Sequence, residues 1–389
     1  MINFLLINEN DNNTLKINIY RLNIKDKVIL YINLFFKITG GFMKGKTIKF
    51  LVSFLFLLFS SSVFAAGKLN LYNWADYTPE DLIKKFEDET GIQVTVDTYD
   101  SNETLLAKLQ AGGSSTGYDL AVPSQHFVEI MIKEALIEKI SGISDMSNYK
   151  YVAEQFQGPS FDPTQEYSTP WQMGSASWAY RADSYSGNGS SMMEFFKPSD
   201  EVCGKVAVFK SPEEVVNMAH LALGSNFCSE DPNEMQAVLD LLLEQKKCVA
   251  VYSSEGINER LMSGEVIMHA HWDGYSQVGR WEGVDDLTYA YPKEGVVGWF
   301  DSLVMPKGAK NVEEAKAFMN FVMHPENMAI LSNFAAYANA IPESVNYLSE
   351  DMKNAINIQV PDGIPVKFGQ ACNEVSQGLV DKVWTKLMQ

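Results

Sequence analysis

The stretch Leu69-Asn70-Leu71-Tyr72-Asn73-Trp74-Ala75-Asp76-Tyr77 constrains the fold more than any other, because a short apolar strand ends there and gives way to aromatic side chains. Leu69, Leu71 and Tyr72 carry the strand pattern. Thr78-Pro79-Glu80-Asp81 then opens a helix, with Thr78 expected as N-cap, Pro79 at the first helical position and Asp81 three residues after the cap. Trp74 to Tyr77 is therefore a strand-to-helix loop. In open α/β sheets the ligand crevice lies beyond the carboxyl ends of the strands, so a loop there with Trp74, Asp76 and Tyr77 is a candidate binding site. The other reading is a Trp and a Tyr packed beneath a surface loop.

The pattern repeats downstream. The helix from Thr78 brings Leu82, Ile83 and Phe86 to one face and ends at Gly91. Ile92 to Tyr99 reads as a strand, Ser101 or Asn102 caps a helix carrying Leu105, Leu106 and Leu109, Tyr118 to Val122 is a strand, and Pro123 opens another helix. Strand, helix, strand, helix, strand at this spacing predicts a parallel α/β lobe. A polar connection from Ser141 to Thr169 leads to a strand over Trp171 to Arg181, read as a crossover. A second lobe follows: strand Val206 to Phe209, helices Pro212 to Leu223 and Pro232 to Lys246, strand Val249 to Tyr252, helix Glu255 to Met262 and strand Val266 to Trp272. Asp301 to Pro306 reads as a return strand and Val312 to Met323 as a helix.

Upstream, Lys44, Lys46 and Lys49 precede the apolar run Phe50 to Phe59 and the small residues up to Ala66, the pattern of a secretory signal peptide cleaved near Ala66. The run, about ten residues, is half of the roughly 20 that a membrane-spanning helix needs. No Cys stands at the cleavage site, which argues against a lipoprotein anchor. Met43 is the expected initiator, and residues 1–42 are set aside from fold reasoning. Residues 1–66 hold 8 of the 31 Lys and Arg and 3 of the 49 Asp and Glu, so the remainder has a formal charge of −23. Such a surface repels phosphate backbones and excludes nucleic acid as a partner, while drawing small cations weakly.

Three motifs bear on enzymatic chemistry. Gly113-Ser114-Ser115-Thr116-Gly117 matches G-x-S-x-G, but it runs from helix into strand, opposite to a nucleophile elbow, so Ser115 is not read as catalytic. His269 and His271 alternate on one strand face without a visible third ligand, and satisfied buried histidines are the expected reading. The four Cys, at 203, 228, 248 and 372, follow the signal, where disulfides form, and lack C-x-x-C spacing, so no zinc is expected. No cofactor and no catalytic centre are expected.

The chain resembles the periplasmic polyamine-binding proteins of bacterial ABC importers over essentially all of Lys68 to Gln389. The resemblance rests on Tyr72-Asn73-Trp74-Ala75-Asp76-Tyr77, Glu89-Thr90-Gly91-Ile92, Ser101-Asn102-Glu103-Thr104, Tyr118 to Ser124, Pro292-Lys293-Glu294-Gly295 and Trp299-Phe300-Asp301-Ser302. It implies the two-lobed α/β periplasmic binding protein fold of type II, with the lobes closing on ligand and crossings near Gly174, Phe300 and Val345. The implied organisation is an upstream extension plus signal peptide over 1–65 (signal about 43–65), a first α/β lobe over 66–174 and 301–345, and a second over 175–300 and 346–389. The implied ligand residues are Trp74, Tyr77 and Ser124 in the first lobe, Glu214 and Trp272 in the second, and Trp299, Asp301 and Tyr337 near the hinge. Asp76, Asp273 and Tyr275 join them as candidates. Tyr337-Ala338-Asn339-Ala340 is closer to the putrescine-preferring branch.

An ammonium stripped of water needs carboxylate or carbonyl acceptors, and aromatic faces suit both its charge and its methylene chain. The implied function is a periplasmic receptor, expected as a monomer, that captures putrescine or spermidine and delivers it to a membrane permease driven by an ATPase. Some positions depart from the family. Lys210-Ser211 stands where relatives carry an Asp, Tyr275 replaces an acid of the putrescine branch, Asp273 is positioned to compensate, and His126 replaces a Tyr or Ser. These departures keep a second reading open, another small organic cation or amino compound; a secreted hydrolase or metalloenzyme is the more distant alternative. Cys203 matches one partner of the family's disulfide, but Ile267 occupies the other position. With the usual strand order Cys203 and Cys248 begin neighbouring strands and would pair; free thiols are the alternative.

Overall fold

A computed structural model describes residues 4–9, 15–20 and 67–389. The expected signal peptide over 43–65 and its cleavage near Ala66 lie outside the described residues. Within the upstream segment, strands β1 (Phe4–Glu9) and β2 (Leu15–Tyr20) pair antiparallel, an element that sequence reading did not assign there.

From Ala66 onward the chain forms one compact unit built on a continuous sheet. The strands are β3 (Lys68–Trp74), β4 (Gln93–Tyr99), β5 (Leu120–Ala121), β6 (Ser168–Arg181), β7 (Val206–Val208), β8 (Val249–Tyr252), β9 (Met268–Trp272), β10 (Leu287–Tyr289), β11 (Val296–Val304) and β12 (Val366–Phe368). Their order is β4-β3-β5-β11-β6-β9-β7-β8, with β10 on β6 and β12 on β11. At one end β3 pairs in parallel with β4 and β5; at the other β7 pairs in parallel with β8 and β9. Each parallel set alternates with helices, so the chain has the two-lobed α/β architecture expected of it. The long strands β6 and β11 run antiparallel to each other and link the two sets, β11 reaching β5 and β6 reaching β9.

Local chemistry explains the boundaries. Ser101 accepts from the backbone N–H of Thr104 and caps the helix Asn102–Gly112. Pro212 and Pro232 each start a helix, Pro212–Leu223 and Pro232–Lys246, where proline's missing N–H costs nothing. Thr78 departs from expectation. Its hydroxyl accepts from Asn73 Nδ2 at 2.7 Å, so the N-cap passes to Pro79 and the helix is Glu80–Thr90. The helix expected from Glu255 starts at Ile257, after Gly256 with φ 62°. The strand expected over Asp301 to Pro306 is instead Val296–Val304, buried at every position. A strand covered on both faces shows no alternation from which its start could be read.

The crossing depends on a glycine. Gly174 pairs with Trp299, and a Cβ there would lie 2.6 Å from the Asp273 carboxylate, 2.6 Å from the Trp299 ring and 3.0 Å from Tyr337. Only a residue without a side chain lets those two aromatics close over the strand. Two disulfides brace the second lobe, Cys203–Cys248 and Cys228–Cys372. The first joins the turns leading into β7 and β8. The second, which sequence reading did not assign, ties the loop before helix 232–246 to the segment before the C-terminal helix Glu374–Met388, which packs on that helix.

Candidate functional site

A cleft open at its mouth lies where the carboxyl ends of strands from both lobes converge. From the first lobe, Trp74 ends β3 and pairs in register with Tyr99, the last residue of β4. Trp74 Nε1 and the Tyr99 hydroxyl both donate to the Val122 carbonyl, at 3.0 and 2.6 Å, which fixes the two rings 4.9 Å apart. From the second lobe, Trp272 ends β9; Phe209 stacks on it at 4.4 Å, and its Nε1 donates to Glu214 Oε1 at 2.7 Å. The two tryptophans face each other across the cleft with centroids 6.3 Å apart.

The floor is aromatic. Tyr77, Trp299 and Tyr337 meet edge to face, Tyr337 standing 5.5 Å from Tyr77 and 4.8 Å from Trp299. Asp301 rises among them because the ladder between β6 and β11 breaks register between Phe300 and Ser302, freeing Asp301 to bridge to Ser124 instead. Ser124 Oγ donates to Asp301 Oδ1 at 2.7 Å and accepts from Asn102 Nδ2 at 3.0 Å. The Ser124 hydroxyl is thus committed to Asp301 rather than to capping the helix Gln125–Lys133 that follows it. Trp299 Nε1 is buried in this aromatic wall without a hydrogen-bond partner among the described residues.

Electrostatically the cleft is acidic. Four acids line it, Asp76, Asp100, Glu214 and Asp301, and no Lys, Arg or His does so among the described residues. Burial pushes Asp301 up to about 7 despite the Ser124 hydrogen bond. Burial, with Glu213 and Glu103 nearby, pushes Glu214 up to about 8 despite its Trp272 contact. Carboxylates so placed gain charge most readily when a cation arrives. Asp76, in a left-handed turn with φ 53°, accepts from the Tyr275 hydroxyl of the opposite lobe at 3.4 Å, a bridge across the mouth.

Ten of the eleven candidate residues line this cleft: Trp74, Asp76, Tyr77, Ser124, Glu214, Trp272, Tyr275, Trp299, Asp301 and Tyr337. Asp273 does not. Its Oδ2 accepts from the Ser175 N–H and hydroxyl, at 3.0 and 2.9 Å, and Oδ1 from the Gly274 N–H, so it braces the crossing strand behind Tyr337 and cannot replace the missing acid. The Lys210 side chain is exposed and outside the cleft. Tyr99, Asp100 and Ser254 line the cleft and were missed; the end of β4 beside Trp74 was the signal for Tyr99. His269 and His271 are buried and neutral, burial pushing His271 down to about 3 and His269 well down. His271 Nε2 lies 3.0 Å from Asn258 Oδ1. No group of three metal-binding side chains occurs among the described residues.

Residues 81–360 match the family model of bacterial extracellular solute-binding proteins. The chain belongs to that family. Among curated relatives, this solute-binding protein is 32% identical over 322 residues to the spermidine/putrescine-binding periplasmic protein of Escherichia coli strain K12, covering 82% of this chain and 91% of the relative. It is 31% identical over 338 residues to the putrescine-binding periplasmic protein SpuD of Pseudomonas aeruginosa, with the same two coverages. A solved structure from Listeria monocytogenes, provisionally assigned as a spermidine/putrescine ABC transporter, superposes with TM-score 0.76 at 28% identity, covering 83% of this chain and 99% of that one.

Proposed function

We propose that this solute-binding protein captures a polyamine, putrescine or spermidine, in the periplasm and hands it to the permease and ATPase of an ABC importer, without catalysing a reaction. The observation that carries this reading is the pairing of aromatic faces with a buried carboxylate in each lobe, Glu214 under Trp272 and Asp301 under Tyr77. Rings hold methylenes and ammonium charge, while two carboxylates match a cation with charge at both ends. The names of the curated relatives support the same ligand class. The reading includes export by the signal peptide, a monomeric receptor, lobes divided at 174/175, 300/301 and 345/346, and ligand contacts from the ten lining residues named above.

Thermal denaturation tests it. At about 100 times its dissociation constant, a bound ligand adds roughly 2.7 kcal/mol of stability. Putrescine or spermidine should raise the melting temperature accordingly; no shift with either, alongside a shift with a non-amine metabolite, rejects the ligand and keeps the fold.

Binding should also release protons. Burial pushes Glu214 up to about 8 and Asp301 up to about 7, whereas an amine stays charged well above that range. Both acids must ionise to meet the ammonium groups, so affinity is full above about pH 8 and falls as pH drops through 8 and 7, about tenfold per unit for each proton released. The proton number measured at pH 7 by calorimetry in two buffers of different ionisation enthalpy should shift toward uptake in Asp301→Asn or Glu214→Gln; a number unchanged in both variants contradicts this charge assignment.

A further inference from the structure

Behind the cleft, outside the residues that line it, a second cluster of ionisable groups crosses between the lobes. His126 lies on the helix Gln125–Lys133 that follows β5, and Glu213 on the first turn of the helix Pro212–Leu223 that follows β7. His126 Nε2 is 3.3 Å from Glu213 Oε2, and both side chains are buried. Glu103, from the helix Asn102–Gly112 on the His126 side, accepts from the Glu213 backbone N–H at 3.1 Å, while its Oε2 is buried without a partner. The Asn217 amide donates to the other oxygen of Glu213. Gly369 covers the imidazole so closely that a Cβ there would lie 2.9 Å from His126 Cε1, and its carbonyl accepts from Gln125 Nε2 at 3.0 Å.

We infer that His126 is a positioning residue for ligand capture: protonated, it clasps Glu213 across the closed cleft and seats the helix that carries Glu214 beside the ligand. The inference uses the two-lobed fold and the proposed role of Glu214. The groups facing His126 are Glu213 and Glu214 from the helix 212–223, Glu103 from the helix 102–112, and Asp301 from β11. All are acids. Burial alone would hold the imidazole neutral, but Glu213, Glu103 and Glu214 together raise its pKa above the ordinary value. Glu103, buried beside Glu213, is pushed up to about 7. Opening the lobes parts His126 from Glu213 and hydrates the cluster, returning both groups toward ordinary values. Closing therefore takes up protons. The clasp is fully present below the ordinary histidine pKa and is lost as pH rises through the raised value of the closed form. This runs against the proton release expected when an amine ionises Glu214 and Asp301, so the two sites together flatten the pH dependence of capture.

The test uses the ligand-free chain, which separates it from the choice of ligand. Small-angle scattering from pH 5.5 to 8.5 should show the parent compacting as pH falls, with the closed-to-open ratio rising severalfold. His126→Gln keeps size and a hydrogen-bond donor but no charge, and Glu213→Gln removes the partner; both should lose most of that response. With carbon-13-labelled histidine, the His126 imidazole of the parent should titrate above the ordinary histidine value. A scattering profile in both variants that follows the parent's, a parent that does not compact, or a His126 titration at or below the ordinary value overturns the inference. Absence of putrescine binding, with the ligand-free response intact, would instead remove only the amine reading.

Discussion

Asp301→Asn should weaken putrescine or spermidine binding by about 3 to 5 kcal/mol, the usual loss when one partner of a buried ion pair is removed. At about 1.4 kcal/mol per decade this is roughly two to three and a half orders of magnitude in dissociation constant. Asp301 is 4% exposed, sits where the strand ladder breaks register, and is surrounded by Tyr77, Trp299 and Tyr337. An ammonium drawn down to it would have lost its water and would depend on that carboxylate. A solvent-exposed pair would be worth at most about 1 kcal/mol, less than tenfold, so the two cases separate cleanly. Folding provides the control. Asparagine still accepts from Ser124 and removes a buried charge, so the empty variant should melt no lower than the parent. A dissociation constant within about tenfold of the parent, in a variant that melts normally, would mean that Asp301 is not the counter-charge.

The largest stability effect should come from Cys228→Ala with Cys372→Ala. Cross-linking residues 144 apart removes denatured-state entropy worth up to about 5 kcal/mol, against about 4 for the 45-residue separation of Cys203–Cys248. The bond anchors the chain just before the C-terminal helix, whose Val380, Val383 and Leu387 are buried. Without it that helix closes a much longer free loop. Chemical denaturation should show a lower midpoint for the double variant than for the parent, with the drop abolished when both proteins are reduced. Equal midpoints under oxidising conditions would show that the bond contributes nothing to the folded chain's stability.

What could be read from the residues divides along physical lines. Helices with proline or a capping residue at the start and glycine at the end, such as Pro212–Leu223, were legible to the residue because their signals are local. The parallel lobes followed from the strand and helix spacing. Strand β11 was misplaced because burial on both faces removes the alternation that marks a strand. The Thr78 cap was misread because Asn73, five residues earlier, engages the hydroxyl. The gathering of Trp74, Glu214, Trp272, Asp301 and Tyr337 came from resemblance to a family; no local pattern brings residues so far apart together. Asp273 shows the limit of proximity in sequence. One residue from Trp272, it turns to the backbone of Ser175 instead of the cleft. The Cys228–Cys372 pair and the His126–Glu213 contact were invisible for the same reason, since both are fixed only by how distant helices pack.

The central claim is that a charged amine is held between the lobes by one carboxylate from each. Calorimetric titration of the parent with putrescine, spermidine and the neutral isostere 1,4-butanediol tests this most directly. Saturable one-site binding of an amine, with no detectable binding of the diol, is the expected result. Binding of the diol as tight as that of the amines, or no heat from either amine while a non-amine solute binds, would contradict it.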